Sequence, residues 1–356
     1  MDTSGKIVMR KFDFLNPYII ADIGVNHEGD LERAKDMIRM AAEAKCDAVK
    51  FQMYKADTIA SKEYSKAYWD LQEESTPNQY ELFCKYDKFD EVDYRILADY
   101  AKEVNIDFLV TPFDEHMVEI ASELSRYIKI ASADITNVPL LEKCARTKKP
   151  IILSTGASSQ EEIAFAIQTI EEQKGNILGI LYCVLNYPLA EKDVHLSSMC
   201  QLQKEYGDRY HIGYSDHCKP SAQGRMYSLE LAAMLGATII EKHFTDDVKG
   251  IGNDHYHSMN SKMARSFLDY LERMQSIYGT KEDKDLSIEN KAIENARRRI
   301  FARKDIQQGE TFSEDNLIPL RANCGVEIRK WKEVIGKKAT CFIQKGNYIC
   351  DGDYEC

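Results

Sequence analysis

The stretch YIIADIGVNHEGDLERAKDMIRMAAEAKCDAVKFQ, residues 18–52, sets the architecture. It opens on an apolar, β-branched run at 18–23 (YIIADI). It continues through 31–45 (LERAKDMIRMAAEAK), where apolar residues fall three and four apart, the period of a helix with one buried face. It closes on a second short run at 48–52 (AVKFQ). Strand, helix and strand in this order predict a parallel pair joined by a crossover helix.

The pattern then repeats. Further strand-like runs stand at 106–110, 127–131, 150–154, 177–183, 210–214 and 237–241, with helical patterns such as 160–173 between them. Eight strands separated by helices over roughly 250 residues predict an α/β fold, the (β/α)8 TIM barrel. An insertion at about 54–93, rich in Tyr, Lys and Glu, is expected to cap the barrel mouth. A helix at 261–278 completes a barrel domain over 1–278. The polar stretch 279–290 (GTKEDKDLSIEN) reads as a linker, taken to extend over 279–296. The remainder, 297–356, reads as a small β-rich module with Gly309 and Gly346 at turns in similar contexts, KDIQQGE and CFIQKGN.

Composition narrows the function. With 44% apolar and 29% charged residues among 356, disordered and low-complexity readings fall away. No apolar run reaches the length of about 18 residues that a membrane span needs. The opening MDTSGKIVMRKFDF has no apolar signal core, which points to the cytoplasm. A net charge of -11 argues against nucleic acid as a partner, because phosphate neutralisation needs a basic face. That charge is uneven: residues 297–356 carry 12 Lys+Arg against 9 Asp+Glu, while the preceding 296 carry 35 against 49. The ten cysteines form no CxxC and match no zinc spacing, so they read as reduced thiols, many of them small core residues.

In such barrels chemistry sits at the C-terminal strand ends. The polar residues there are Asp22 and Asn26; Lys50 and Gln52; Thr111, next to Phe113; Lys129, Ser132 and Asp134; Ser154 and Thr155; Tyr187; Ser215, Asp216 and His217; and Glu241 with His243. Lys50 and Gln52, like Glu241 and His243, are two apart and share a strand face. Lys50 and Lys129 therefore point into one cavity, where two converging cations call for an anion such as phosphate plus carboxylate. Thr111, Ser132, Ser154 and Ser215 are candidate neutral donors. The competing reading is a lysine paired internally with Asp22 or Glu241.

His217 and His243 end adjacent strands, so both can reach one divalent ion acting as a Lewis acid; singly, each is also an ordinary core histidine. His255 and His257, after Asp254, form a rival metal cluster, although a solvated loop is the preferred reading there. His27 in VNHEG is read evenly as structural or functional. There is no P-loop, no GxGxxG after a strand and no nucleophile elbow.

These motifs, taken together, resemble a known family. The set ADIGVNHEGD (21–30), DAVKFQ (47–52), TPFD (111–114), YIKIASADITN (127–137), KPIILSTG (149–156), NYP (186–188), GYSDH (213–217), IEKHFT (240–245) and NDHYHSM (253–259) is similar to the sialic acid synthases. The tail looks like that family's SAF, or antifreeze-like, domain. The resemblance implies condensation of phosphoenolpyruvate with an N-acetylated hexosamine to a nine-carbon 2-keto acid. Its phosphoenolpyruvate ligands fall on Lys50, Thr111, Lys129, Ser132, Ser154 and Ser215. Its metal-ligand histidines fall on His217 and His243, with manganese expected and magnesium as the alternative. Its sugar contacts fall on Asp22, Gln52, Phe113, Tyr187 and Asp254, and its proton-transfer acid on Asp134. Arg321 in LRANCG is expected to reach the sugar in a partner subunit, so a domain-swapped homodimer is implied. The basic tail and acidic barrel suit that exchange.

Departures cluster on the sugar half. Asp22 and Asp134 stand where the family usually has Glu, each one methylene shorter. Leu185 replaces a polar residue in CVLNYP, where Asn186 offers a substitute, the segment between His217 and His243 is longer than usual, and RANCG replaces RPG-x-G in the tail. They point to a non-standard acceptor, such as a di-N-acetylated 6-deoxyhexose leading to legionaminic- or pseudaminic-type acids. The competing functions are a phosphosugar synthase of related barrel logic, a Schiff-base pyruvate aldolase using Lys129 or Lys242, and a non-catalytic sugar-binding homologue.

Overall fold

The computed structural model describes residues 12–252, 254–279 and 285–355. The chain divides into two compact units, the first ending at Gly279.

In the first unit eight parallel strands close into a barrel in chain order. They are β1 (Tyr18–Gly24), β2 (Ala48–Met53), β3 (Asp107–Pro112), β4 (Ile128–Ile130), β5 (Pro150–Ser154), β6 (Asn176–Cys183), β7 (His211–Asp216) and β8 (Ile239–His243). β8 returns to β1, with Tyr18 opposite Ile239 and Asp22 opposite His243. The (β/α)8 expectation is met, helices following the strands from Leu31–Glu43 to Ser261–Tyr278.

Period-2 alternation gives each strand two jobs. Outward residues such as Ile19, Val49, Phe108, Ile128, Ile151 and Ile240 join the large core beneath the helices. Inward residues Tyr18, Ile20, Ala48, Leu109, Tyr127, Ile152, Leu181 and Ile239 form a separate apolar plug. One or two steps further along the same inward faces come Asp22, Lys50, Thr111, Lys129, Ser154, Ser215 and Glu241, all buried. The barrel interior thus changes from hydrocarbon to polar groups toward its C-terminal end. Gly213 keeps the transition tight, since a Cβ there would meet the Ile239 carbonyl oxygen at 2.3 Å.

β1 and β2 end one residue past the limits expected from their apolar runs, and three other strands run further. β3, β7 and β8 continue two residues further, because backbone pairing such as Gln52 with Thr111 persists after the hydrophobic run ends. Thr111, Ser215 and His243 are therefore held by strands, not loops.

In the second unit a short helix, Asn290–Ala296, occupies part of the stretch expected to be linker. β9 (Arg298–Ala302) and β10 (Leu317–Arg321) then form an antiparallel pair. Ile300, Ile306, Phe312, Leu317, Val334, Ile343 and Ile349 make its core. Gly309 and Gly346 have φ of 82° and 87°, the left-handed region their turns require.

The described cysteines are all free; Cys46, Cys144, Cys183 and Cys218 are buried, whereas Cys84, Cys324, Cys341 and Cys350 are exposed. No described helix is long and apolar enough to cross a membrane.

Candidate active site

A cavity of about 450 Å³ occupies the C-terminal mouth of the barrel. Asp22, Lys50, Gln52, Thr111, Phe113, Lys129, Ser132, Asp134, Ser154, Tyr187, Ser215, His217, His243 and Asp254 all line it. Arg321 ends β10 in the other unit and is exposed. The 54–93 insertion contributes Tyr54, Tyr68, Trp69, Glu74, Phe83 and Tyr86 to the cavity wall. Reading strand ends alone misses these residues, and the aromatic bias of the insertion was the available signal.

The two lysines are paired within the protein. Lys50 Nζ lies 2.8 Å from Asp22 Oδ2 and donates to Thr111 Oγ1 at 3.2 Å. Lys129 Nζ lies 3.5 Å from Glu241 Oε1 and donates to the Ile130 carbonyl at 3.1 Å. The expected pair of free cations is thus a pair of internal ion pairs, and the internal-pairing alternative holds at both positions. The environments split the two ammonium groups. Burial pulls Lys50 down, but the carboxylates of Asp22 and Glu241 outweigh it, so its pKa is raised. Burial dominates at Lys129, and repulsion from Lys50 adds to it, so its pKa is lowered despite Glu241.

Hydroxyls surround this pair. Ser132 Oγ accepts from the Gly156 amide at 2.8 Å, which leaves its own proton to donate. Ser215 Oγ donates to Glu241 Oε1 at 2.8 Å. Ser154 Oγ, Asp22 Oδ1 and Glu241 Oε2 are buried without a hydrogen-bond partner. Asp134 accepts from Asn137 Nδ2 at 2.9 Å, yet burial raises its carboxyl above the usual range.

The histidines gather on the other side. His243 Nδ1 is 3.5 Å from Asp22 Oδ2 and 3.5 Å from Asp254 Oδ2. His217 donates from Nδ1 to the Val184 carbonyl at 2.8 Å, which leaves Nε2 as its free nitrogen. Its ring centroid is 5.6 Å from that of His243. Tyr187 packs at 4.2 Å on the His217 ring. Burial, against Asp254 and with His217 opposing a second charge, pushes His243 down to about 4, so its ring is neutral.

The 255–257 segment departs from the solvated loop expected of it. His255 and His257 sit on a buried 3-10 turn, both 0% exposed. The potential ligand atoms of His243, Asp254 and His257 lie within 4.8 Å of one another. Nδ1 of His243 and both ring nitrogens of His257 have no hydrogen-bond partner. Orphaned imidazole nitrogens beside a carboxylate fit a divalent ion. His27, in contrast, is structural: its Nδ1 accepts from the Gly29 amide at 3.0 Å and its ring stacks on Phe89 at 4.1 Å. Lys242, the other Schiff-base candidate, points away from the cavity, with Nζ 2.5 Å from Asp216 Oδ2 and 2.7 Å from the Cys218 carbonyl.

The chain is similar to proteins of known kind. The chain is 35% identical over 340 residues to N,N'-diacetyllegionaminic acid synthase of Legionella pneumophila, covering 93% of each chain. It is 32% identical to pseudaminic acid synthase of Helicobacter pylori, covering 95% of this chain and 98% of that one. The crystal structure of N-acetylneuraminic acid (sialic acid) synthetase from Leptospira borgpetersenii, in complex with citrate, matches with a TM-score of 0.67 at 34% identity, covering 79% of this chain and 91% of that chain. A SAF domain is matched over residues 297–355. The NeuB family is matched over residues 37–283, well over half the chain, and the protein therefore belongs to the NeuB family.

Proposed function

We propose that this chain is a nonulosonic (sialic-type) acid synthase, a transferase that condenses phosphoenolpyruvate with an N-acetylated hexosamine and releases phosphate. The carrying observation is the convergence in one barrel mouth of two buried lysines with four hydroxyl residues on one side, and of buried, unpartnered imidazole nitrogens with Asp254 on the other. The relatives named for the synthesis of diacetyllegionaminic, pseudaminic and N-acetylneuraminic (sialic) acid support the reading.

Phosphoenolpyruvate is bound by Lys50, Thr111, Lys129, Ser132, Ser154 and Ser215. Lys129 is the less tightly paired ammonium, 3.5 Å from its carboxylate against 2.8 Å for Lys50, so it is the one that turns to the substrate anion. Lys50, kept charged by Asp22, supplies fixed positive potential where the carboxylate and phosphate lie. The metal site draws on His217 and His243, with Asp254 adjacent; manganese is the proposed ion, and magnesium the alternative. A bound divalent ion supplies Lewis-acid polarisation of the open-chain sugar aldehyde.

The chain's own residues set the rest. Asp22, Gln52, Phe113 and Tyr187 orient the sugar so that its aldehyde carbon faces C3 of phosphoenolpyruvate. A carbon–carbon bond forms between them, water adds at C2, and phosphate departs with the bridging oxygen. Asp134, whose raised carboxyl retains a proton to higher pH, gives or takes the proton this requires. Arg321 contacts the sugar from the partner subunit of a domain-swapped homodimer.

The acceptor is a di-N-acetylated 6-deoxyhexose. Tyr68, Trp69, Phe113 and Tyr187 give the cavity apolar faces suited to acetyl methyls and a deoxygenated C6. Phosphate release and product mass, measured with phosphoenolpyruvate against a panel of N-acetylated sugars, test this. The di-N-acetylated acceptors should give the highest turnover; N-acetylmannosamine winning clearly would overturn the acceptor assignment.

A further inference from the structure

His257 is fully enclosed, and neither of its ring nitrogens has a hydrogen-bond partner. Two residues away on the same 3-10 turn, His255 is equally buried but satisfied, with Nδ1 2.7 Å from Thr245 Oγ1 and Nε2 3.1 Å from Glu28 Oε1. The turn can therefore equip a buried imidazole with partners, and at His257 it does not. What surrounds His257 is a set of other donors. Its ring stands edge-on to His243 at 4.9 Å and to His217 at 6.0 Å, and its Nε2 is 3.7 Å from Asp254 Oδ1.

We infer that His257 is a metal ligand, so that the ion in the barrel mouth is held by an imidazole-rich set in which His257 joins His243 and Asp254. This rests on reading the mouth as a metal site, and it goes further by fixing the chemistry of the site. Two histidines with open positions accept hard, oxygen-preferring ions readily. A further imidazole shifts preference toward nitrogen-preferring first-row ions such as cobalt or zinc and away from magnesium.

The test is metal binding by the full-length protein after removal of metal with a chelator. Co2+ is titrated by calorimetry and by its visible absorption, with Mg2+ as competitor. His257→Phe, which keeps ring volume without a donor, and His257→Gln are compared with His217→Ala and His243→Ala. Thermal unfolding in excess chelator verifies that each variant is folded. The inference expects both His257 variants to lose Co2+ affinity by roughly tenfold or more, with a shifted absorption band and little change for Mg2+. X-ray absorption of the Co2+-loaded unaltered protein, which needs no substitution, should show imidazole scattering from His257 in addition to the other histidines. Unchanged Co2+ binding in the His257 variants, alongside loss in His217→Ala or His243→Ala, overturns the inference and leaves the metal site standing. No Co2+ binding by the unaltered protein overturns the metal reading itself.

Discussion

The carboxylate of Asp22 lies 2.8 Å from the ammonium of Lys50, and each residue is 3% exposed. The same carboxylate faces His243 on the other side. Asp22 thus holds one buried cation while bordering the metal site. Removing it in Asp22→Ala leaves Lys50 buried and unpaired, at a cost of roughly 3–5 kcal/mol. Urea unfolding should show that loss, and turnover should fall by at least about a hundredfold, equivalent to about 2.7 kcal/mol. A variant of unchanged stability would mean that the pair is not what keeps Lys50 charged.

Lys129 has the lowered pKa that an imine-forming lysine would need, but its neighbours are hydroxyls and Glu241, suited to binding an anion. Borohydride reduction in the presence of pyruvate should therefore leave the protein mass unchanged. A pyruvate-derived adduct on Lys129 would favour the aldolase reading instead.

Much of this site was legible in the sequence, because a barrel strand alternates inward and outward and the inward polar residues stand where each apolar run ends. That places Lys50 and Lys129 within their strands. Strand ends are less legible: Thr111, Ser215 and His243 belong to strands whose pairing outlasts their hydrophobic pattern. The burial of His257 is not legible, because His, Tyr and Asp in a connecting segment look hydrophilic and only tertiary packing shows that the turn folds inward. Internal pairing with Asp22 or Glu241 is legible as an alternative, but that it holds at both lysines depends on which inward residues share a layer across β1, β2, β4 and β8.

His27 carries a pH prediction. Burial, helped by Arg33, holds its pKa at about 3 against an ordinary 6.5. The folded ring therefore stays neutral where the unfolded ring takes a proton, so this contribution is complete above about pH 6.5 and is lost as pH falls toward 3. Within that window each pH unit costs about 1.4 kcal/mol. His27→Phe, which keeps a ring against Phe89, should show a shallower loss of stability between pH 6 and 4, by about one proton. An identical slope in the variant would contradict the assignment.

The proposed swapped dimer predicts complementation. Arg321→Ala should impair sugar use, and His217→Ala should abolish turnover. Mixed and refolded together, the two would form hybrid dimers in which one site combines an intact barrel with an intact partner Arg321. Activity should reappear on mixing. No recovery, with hybrid dimers verified by mass, would mean that Arg321 does not serve a partner's site.

The central claim is a condensation in which phosphate leaves with the bridging oxygen of phosphoenolpyruvate. The direct test supplies phosphoenolpyruvate labelled with 18O at that oxygen, a di-N-acetylated 6-deoxyhexose and a divalent ion, then locates the label by mass spectrometry. The account predicts acceptor-dependent release of phosphate carrying the label, together with an unlabelled nine-carbon keto acid. Label retained in the keto acid, or no phosphate release with any N-acetylated hexosamine, would contradict it.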